Sequence, residues 1–146
     1  MPANVLMFFV YHDVHSVAKL VEIARMAMAF PHVDVFVVSR AQGNAAQTGV
    51  PEVHMRAYRA GKRILVVPDL RDAVDLLKPD KVIIIAKKAE TPFDPAEVGD
   101  RTMVVVCGTE PDVSKFDADG FDLRYVEPRE AGEMAAAAFV LHATKP

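Results

Sequence analysis

The sequence has a single cysteine, no excess of positive charge and no long apolar run, and each absence excludes a class of protein. Because Cys107 is the only cysteine among 146 residues, an internal disulfide framework and a zinc ribbon are excluded, and a reducing compartment is indicated. Seventeen Lys and Arg against twenty Asp and Glu exclude a uniformly basic nucleic-acid coat, although a local basic patch remains open. The uncharged stretch Met1–Val10 is too short to span a bilayer and lacks the basic flank of a signal peptide. We therefore expect a cytoplasmic protein with no membrane association.

Three common nucleotide-binding and catalytic motifs are also missing. The seven glycines contain no G-x-G-x-x-G dinucleotide fingerprint. A phosphate-binding P-loop ending in Gly61-Lys62 would need a glycine at position 56, five residues before Gly61, and that position holds Arg56. No G-x-S-x-G element is present either, which argues against an α/β-hydrolase.

The sequence does contain a regular alternation of two kinds of segment. Short β-branched runs predict strands at Val5–Val10, Val33–Val38, Ile64–Val67, Val82–Ile85, Met103–Cys107 and Leu123–Val126. Segments with helical periodicity predict helices at Ser16–Phe30, Pro51–Ala60, Leu70–Leu77 and about Glu130–Ala143, with Thr48 or Gly49 and then Asp69 as N-caps. Lys87–Asp100 and Gly108–Asp122 are predicted to be long irregular segments. The pattern predicts a single α/β domain over residues 1–146, with a mostly parallel sheet of about six strands and helices on both faces.

In such a sheet, ligands bind beyond the carboxyl ends of the strands. The polar cluster His12, Asp13 and His15 follows the first predicted strand and could hold a metal ion. Capping or solvent-facing roles are commoner for two histidines at a strand-to-helix turn, so we predict no metal site. Cys107 lies in an apolar run, which favours a small buried hydrophobic residue over a reactive thiol.

Three motifs, taken in order, suggest a family. The helix Arg25–Phe30 carries an arginine followed by small residues and an aromatic. Cys107–Ser114 contains a Gly-x-Glu turn. Tyr125–Pro128 leads into the alanine-rich run Ala135–Leu141. This order resembles the SpoU-type RNA methyltransferases of the SPOUT superfamily. The segment Ala45–Glu52 resembles a compact archaeal subgroup whose members are labelled SpoU-like methylases or, sometimes, RecB-type nucleases.

The resemblance implies a C-terminal trefoil knot, a homodimer, S-adenosylmethionine as cofactor and ribosomal or transfer RNA, rather than DNA, as partner. It implies that Arg25 positions the substrate phosphate or hydroxyl at the transferred methyl group, and that Glu110 orders the cofactor loop. The implied cofactor-binding residues are Ile85, Ala86, Lys87, Cys107, Gly108, Thr109, Glu110, Val126, Pro128, Met134 and Ala135.

The sequence departs from the family pattern at four signature positions. Lys19 replaces an asparagine, Asp112 a glycine, Glu130 a serine and Gly132 another asparagine. Two alternatives therefore stay open. One is a knotted protein that binds S-adenosylmethionine or RNA without methyl transfer. The other is a flavodoxin-like nucleotide or signalling domain without a knot.

The nuclease label can be tested on the residues. A RecB-type site holds Mg²⁺ through a Pro-Asp pair followed by Asp or Glu two residues before a lysine. Pro-Asp occurs at Pro68-Asp69, Pro79-Asp80 and Pro111-Asp112, but none of the eight lysines has an acid two positions before it. On this ground the sequence analysis rejects a nuclease.

A local excess of basic residues between positions 40 and 63 predicts an RNA-binding surface. The proposed contacts are Arg40, Arg56, Arg59 and Arg63, of which the last three are spaced to share one helix face. An ordinary solvated face is the alternative. The apolar helix Met134–Leu141 is similarly predicted to be either a dimer surface or part of the core.

Overall fold

Six parallel strands make up the central sheet of the computed structural model, which describes residues 5–146. In spatial order they run β3-β2-β1-β5-β4-β6. Their bounds are β1 Met7–Val14, β2 Val33–Ala41, β3 Ile64–Val67, β4 Lys81–Ile85, β5 Thr102–Cys107 and β6 Asp122–Arg124. The predicted mostly parallel six-stranded α/β fold is confirmed, whereas the trefoil knot stays a prediction. Met1–Asn4, where the predicted domain and the uncharged opening stretch begin, lie outside the described residues.

Five α-helices connect or follow these strands in the described part of the chain. They are α1 Val17–Ala29, α2 Val50–Ala60, α3 Leu70–Leu77, α4 Val113–Ala118 and α5 Gly132–Ala143. A π-helical turn, Ala45–Gly49, runs directly into α2, and 3-10 turns occupy Pro95–Glu97 and Arg129–Ala131. Over residues 5–146, none of these helices has the length and apolarity needed to cross a membrane.

Capping residues explain where several helices begin and end. The Ser16 hydroxyl accepts a hydrogen bond from the Lys19 amide (3.2 Å) at the start of α1. At the start of α3, the Asp69 carboxylate accepts from the Leu70 amide and Asp72 accepts from the Asp69 amide. Gly61, with φ of 67°, ends α2 in the left-handed region that favours glycine.

Both faces of the sheet are covered, which is why the strands are apolar without alternation. Helices α1, α2 and α5 pack on one face, where Phe9, Leu20 and Leu141 belong to the same buried cluster. Helices α3 and α4 pack on the other face, where Leu70 and Phe116 cover Val10. The chain winds outwards from β1 to β3, and the remaining strands lie on the other side of β1, so that the order reverses between β1 and β5.

The structure corrects several predicted boundaries. β1 runs to Val14, so His12 and Asp13 belong to the strand instead of following it. α4 forms inside the segment predicted to be irregular, with Asp112 as its N-cap. α5 begins at Gly132 rather than Glu130, because the preceding residues form a 3-10 turn. Thr48 is not a cap, since the π-helical turn continues into α2 without a break.

Candidate functional site

A cavity of about 260 Å³ lies at the carboxyl ends of β4 and β5. The loops after these strands form two of its walls, and the segment between β6 and α5 closes it. We call it the loop cavity. Its lining residues are Ile85, Lys87, Val106, Cys107, Gly108, Thr109, Glu110, Pro111, Val126, Glu127, Pro128, Arg129, Glu130, Ala131, Gly132, Glu133, Ala135 and Ala136.

The loop cavity brings together most of the residues that the sequence analysis assigned to a cofactor. Nine of the eleven line it: Ile85, Lys87, Cys107, Gly108, Thr109, Glu110, Val126, Pro128 and Ala135. Two do not. Ala86 is buried and donates its amide to the Arg124 carbonyl (2.8 Å), and Met134 packs against the core on the α5 side of the sheet.

The end of β1 holds the loop that follows β5. The Gly108 amide donates to the His12 carbonyl oxygen (2.7 Å), and the Thr109 hydroxyl donates to the Asp13 carboxylate. Burial raises the pKa of Asp13, but the Thr109 hydrogen bond and the neighbouring His15 and Arg40 side chains together lower it by more, so the net shift is downward. A carboxylate that stays ionised is therefore a steady anchor for the loop.

Arg129 fixes the opposite wall, and the sequence analysis missed it. Its Nη1 donates to the carbonyl oxygens of Lys87 (2.7 Å) and Ala89 (2.8 Å). Its guanidinium also lies 3.6 Å from the centre of the Tyr125 ring, within cation–π range. One side chain thus joins the loop after β4 to the segment after β6. No local sequence pattern marks such a contact, because both carbonyl groups belong to residues about forty positions before Arg129 in the chain.

The charged side chains around the loop cavity are mostly acidic. Four carboxylates, from Glu110, Glu127, Glu130 and Glu133, face only two cations, Lys87 and Arg129. Lys87 Nζ lies 3.3 Å from Glu130 Oε1, which partly neutralises both groups. This excess of negative charge around the cavity favours a ligand that carries positive charge.

Cys107 lines the loop cavity as a neutral thiol. Burial is the main reason that its pKa is raised, and the carboxylates of Asp13 and Glu110 raise it further. A thiol that stays protonated is a weak nucleophile, which agrees with the prediction of a small hydrophobic residue. Over residues 5–146, no group of three or more His, Cys, Asp or Glu side chains is arranged to hold a metal ion.

Arg25 and Glu110, the two predicted catalytic residues, lie apart within one chain. Glu110 lines the loop cavity, whereas Arg25 lies on the exposed side of α1 and pairs with Glu22. Arg25 faces a groove between α1 and α2, where Met55 and Arg59 also lie. We call this the α1–α2 groove.

Two of the four predicted RNA contacts line the α1–α2 groove, and the other two do not. Arg56 and Arg59 line the α1–α2 groove, but Arg63 pairs with Asp34 (3.3 Å) and Arg40 lies 3.6 Å from Asp13. The prediction that Arg56, Arg59 and Arg63 share one helix face is wrong, because α2 ends at Ala60 and Gly61 turns the chain away.

Tyr58, on the same helix α2 as Arg56 and Arg59, is 84% exposed and was missed by the sequence analysis. The position of an aromatic residue between two arginines in the sequence is a signal that could have indicated a nucleic-acid contact.

A second cavity, of about 300 Å³, lies beyond the ends of β1 and β5 and shares the Cys107–Pro111 wall. It gathers two of the Pro-Asp pairs, through Asp69 and Asp112, together with Lys115. Both carboxylates are already used as N-caps, Asp69 for α3 and Asp112 for α4, where it accepts from the Lys115 amide (3.3 Å). The presence of these two Pro-Asp pairs is therefore explained by helix capping.

Solved structures with a similar fold include proteins described as methyltransferases. A "putative RNA methyltransferase" of Bacillus anthracis is similar over 94% of this chain and 91% of its own, with a TM-score of 0.72 and 11% identity. The SpoU methyltransferase AviRb of Streptomyces viridochromogenes, solved with AdoMet, is similar over 99% of this chain and 58% of its own, with a TM-score of 0.70 and 12% identity. At this identity the likeness shows the fold alone.

Proteins that are similar to this chain in sequence are described as restriction enzymes and not as methyltransferases. Two of them are named "Putative type II restriction enzyme". MjaORF1200P of Methanocaldococcus jannaschii is 33% identical over 93% of this chain and 94% of its own length. ApeKORF2002P of Aeropyrum pernix is 38% identical over 97% of this chain and 93% of its own length.

These relatives and a family model overturn the predicted identification. The family model described as RecB-family nuclease (DUF2122) matches residues 43–143. The assignment to the SPOUT superfamily is therefore wrong as a statement of family, and the nuclease label that the sequence analysis set aside is the one under which the matching family is described. By sequence, the chain belongs to the RecB-family nuclease (DUF2122) family.

Proposed function

We propose that this protein binds S-adenosylmethionine in the loop cavity and transfers its methyl group to RNA. One observation carries the proposal: three loops from separate parts of the chain build a single cavity whose lining includes nine of the eleven residues predicted to contact a cofactor. A structure of the same fold that was solved with AdoMet supports it. The family description favours a nuclease.

The lining suits an amphipathic cation of this kind. Ile85, Val126 and Ala135 offer small apolar surfaces for a flat ring, and backbone groups at the strand ends can bind its polar edge. The carboxylates that outnumber the cations around the cavity suit the positive charge of a sulfonium. When bound, the cofactor would supply an activated methyl group.

Methyl transfer also requires the acceptor to be positioned and to lose a proton. Glu110 is exposed and lines both the loop cavity and the second cavity, so its carboxylate can contact an acceptor that arrives from solvent. Arg25 lies elsewhere in the same chain, so any role at the methyl group would need a second copy. We propose a homodimer through α5, where Phe139 is 46% exposed. Sedimentation at twice the mass of one chain would support it.

The test of the proposal combines binding with chemistry. Purified protein is titrated with S-adenosylmethionine by calorimetry and is then incubated with methyl-labelled cofactor and cellular RNA. We expect micromolar binding and transfer of label to RNA. Binding without transfer to any RNA fraction would leave a cofactor-binding protein without this activity. Absence of binding would overturn the proposal.

The α1–α2 groove is the surface that we propose for the RNA. Arg25, Arg56 and Arg59 line the groove and supply cationic groups. Tyr58 precedes Arg59 in α2 and does not line the groove, but its exposed ring can stack on a base at the same helix. Because Arg56 is paired with Glu52 (2.8 Å), Arg59 is the better candidate for contact with a phosphate.

Arg59→Glu should weaken RNA binding about tenfold and lower the salt dependence of binding by about one phosphate contact. Fluorescence anisotropy with a transfer RNA transcript at several salt concentrations measures both quantities. Lys78→Glu is the matched control, since it makes the same charge change at the exposed end of α3, which covers the opposite face of the sheet and lies outside the groove and the second cavity. Equal losses in the two variants would indicate a nonspecific charge effect and contradict this surface.

A nuclease is the second candidate, favoured by the family description and by the Asp69, Asp112 and Lys115 side chains that line the second cavity. Incubation with double-stranded DNA and Mg²⁺ tests it. Cleavage by the wild-type protein that is lost in Asp112→Asn and kept in Asp117→Asn, on the same short helix, would favour this function over methyl transfer.

A further inference from the structure

Glu133 differs from the other carboxylates of the loop cavity in how firmly it is held. It lies in the first turn of α5, and its side chain is only 14% exposed. The Tyr11 hydroxyl, on the fully buried Tyr11 side chain of β1, donates to Oε2 at 2.8 Å. Lys19 Nζ, from α1, lies 3.5 Å from Oε1. The carboxylate is therefore fixed by three elements of the fold.

Each of these contacts complements the negative charge of a carboxylate at this position. A hydrogen bond from a hydroxyl, a nearby ammonium group and the amino end of a helix all stabilise a carboxylate. Burial is the main cause of the raised pKa of Tyr11, and the hydrogen bond to Glu133 raises it further, so the phenol remains the donor. The Glu133 carboxylate is accordingly held in one place at the wall of the loop cavity.

The remaining carboxylates are less suited to act on a bound charge. Glu110 and Glu127 are exposed, and Glu130 is 82% exposed and paired with Lys87. Water screens charges at such positions, whereas the partly buried Glu133 acts through a medium of lower dielectric constant. Lys19 offsets part of this charge, but its side chain is half exposed and its Nζ is at the outer limit of hydrogen-bond distance.

We infer that Glu133 is the residue by which the loop cavity distinguishes a sulfonium ligand from the neutral thioether that remains after methyl transfer. The inference rests on the proposed function. S-adenosylmethionine and S-adenosylhomocysteine share the adenosine, amino and carboxylate groups and differ by one methyl group and the positive charge on sulfur. A fixed negative charge near that sulfur would hold the methyl donor and allow the product to leave.

The experiment compares the two ligands in the wild type and in Glu133→Gln. Glutamine keeps the size of the side chain and an oxygen that can accept from Tyr11, so the substitution removes little except charge. We expect the ratio of the affinity for S-adenosylmethionine to that for S-adenosylhomocysteine to fall by about tenfold, with the affinity for the thioether almost unchanged. Calorimetric titration measures the affinities, and thermal unfolding checks the fold.

Glu90→Gln is the matched control, because Glu90 is an exposed glutamate that does not line the loop cavity, so the same substitution there should leave the ratio unchanged. An unchanged ratio in folded Glu133→Gln would overturn the inference and leave the proposed function intact. A wild-type protein that binds the thioether more tightly than the sulfonium would also overturn it, even if the variant fails to fold. Absence of binding of either ligand by the wild type would overturn both.

Discussion

Ala135→Glu should lower the affinity for S-adenosylhomocysteine by at least about a hundredfold and leave the fold unchanged. Ala135 lies on α5 with its side chain exposed towards the loop cavity. A glutamate there would fill part of a space of about 260 Å³ and place a fifth carboxylate beside the four already present. The thioether ligand is the right probe, because it carries no charge on sulfur that the new carboxylate could attract.

Ala138→Glu is the matched control for this variant. Ala138 lies one turn further along α5, is also exposed, and does not line the loop cavity. The two variants therefore have the same composition, net charge and helix, and differ only in whether the new side chain enters the cavity. Calorimetric titration gives the affinities, and circular dichroism checks that both variants are folded. If both variants bind as the wild type does, the cofactor does not occupy the loop cavity.

The location of the cavity could be predicted because it depends on local patterns. Continuous β-branched runs identified β4 and β5, and the carboxyl ends of parallel strands meet at one edge of the sheet. Residues directly after those strands, such as Lys87 and Gly108, were therefore expected to lie close together. The structure adds Arg129 and Glu133, whose partners Ala89 and Tyr11 are distant in the chain. Such contacts leave no periodic signal.

The family could not be predicted from the motifs, because the fold itself requires many of the residues that form them. The motifs that suggested it consist largely of small residues that the fold itself requires. A side chain at Gly108 would collide with the Asp13 carbonyl, and Ala136 and Ala137 of α5 are buried against the sheet. Any chain that folds this way needs small residues at these positions, whatever its chemistry. The same motifs can therefore occur in a family described as RecB-family nucleases.

Gly108→Ala should lower the free energy of unfolding by about 3 kcal/mol. Gly108 follows β5 and lies against the end of β1, where its amide donates to the His12 carbonyl. A Cβ atom at this position would lie 2.2 Å from the Asp13 carbonyl oxygen and 3.6 Å from the Tyr11 hydroxyl. Because the nearest atom belongs to the backbone of a central strand, the strain cannot be relieved by turning a side chain.

Gly99→Ala separates this steric effect from the general effect of replacing glycine. A Cβ atom at Gly99 would meet nothing closer than the Thr102 hydroxyl oxygen at 3.9 Å, which is an ordinary contact. Its effect should stay within about 0.5 kcal/mol, or stabilise slightly, since alanine restricts the unfolded chain. Urea unfolding measures the stability of both variants.

Because Gly108 also lines the loop cavity, a strand that shifted to admit the new methyl group would carry Asp13 and Thr109 with it. Gly108→Ala should consequently bind S-adenosylhomocysteine more weakly even where it remains folded, whereas similar stabilities for the two variants would show that β1 and β5 approach less closely than the structure indicates.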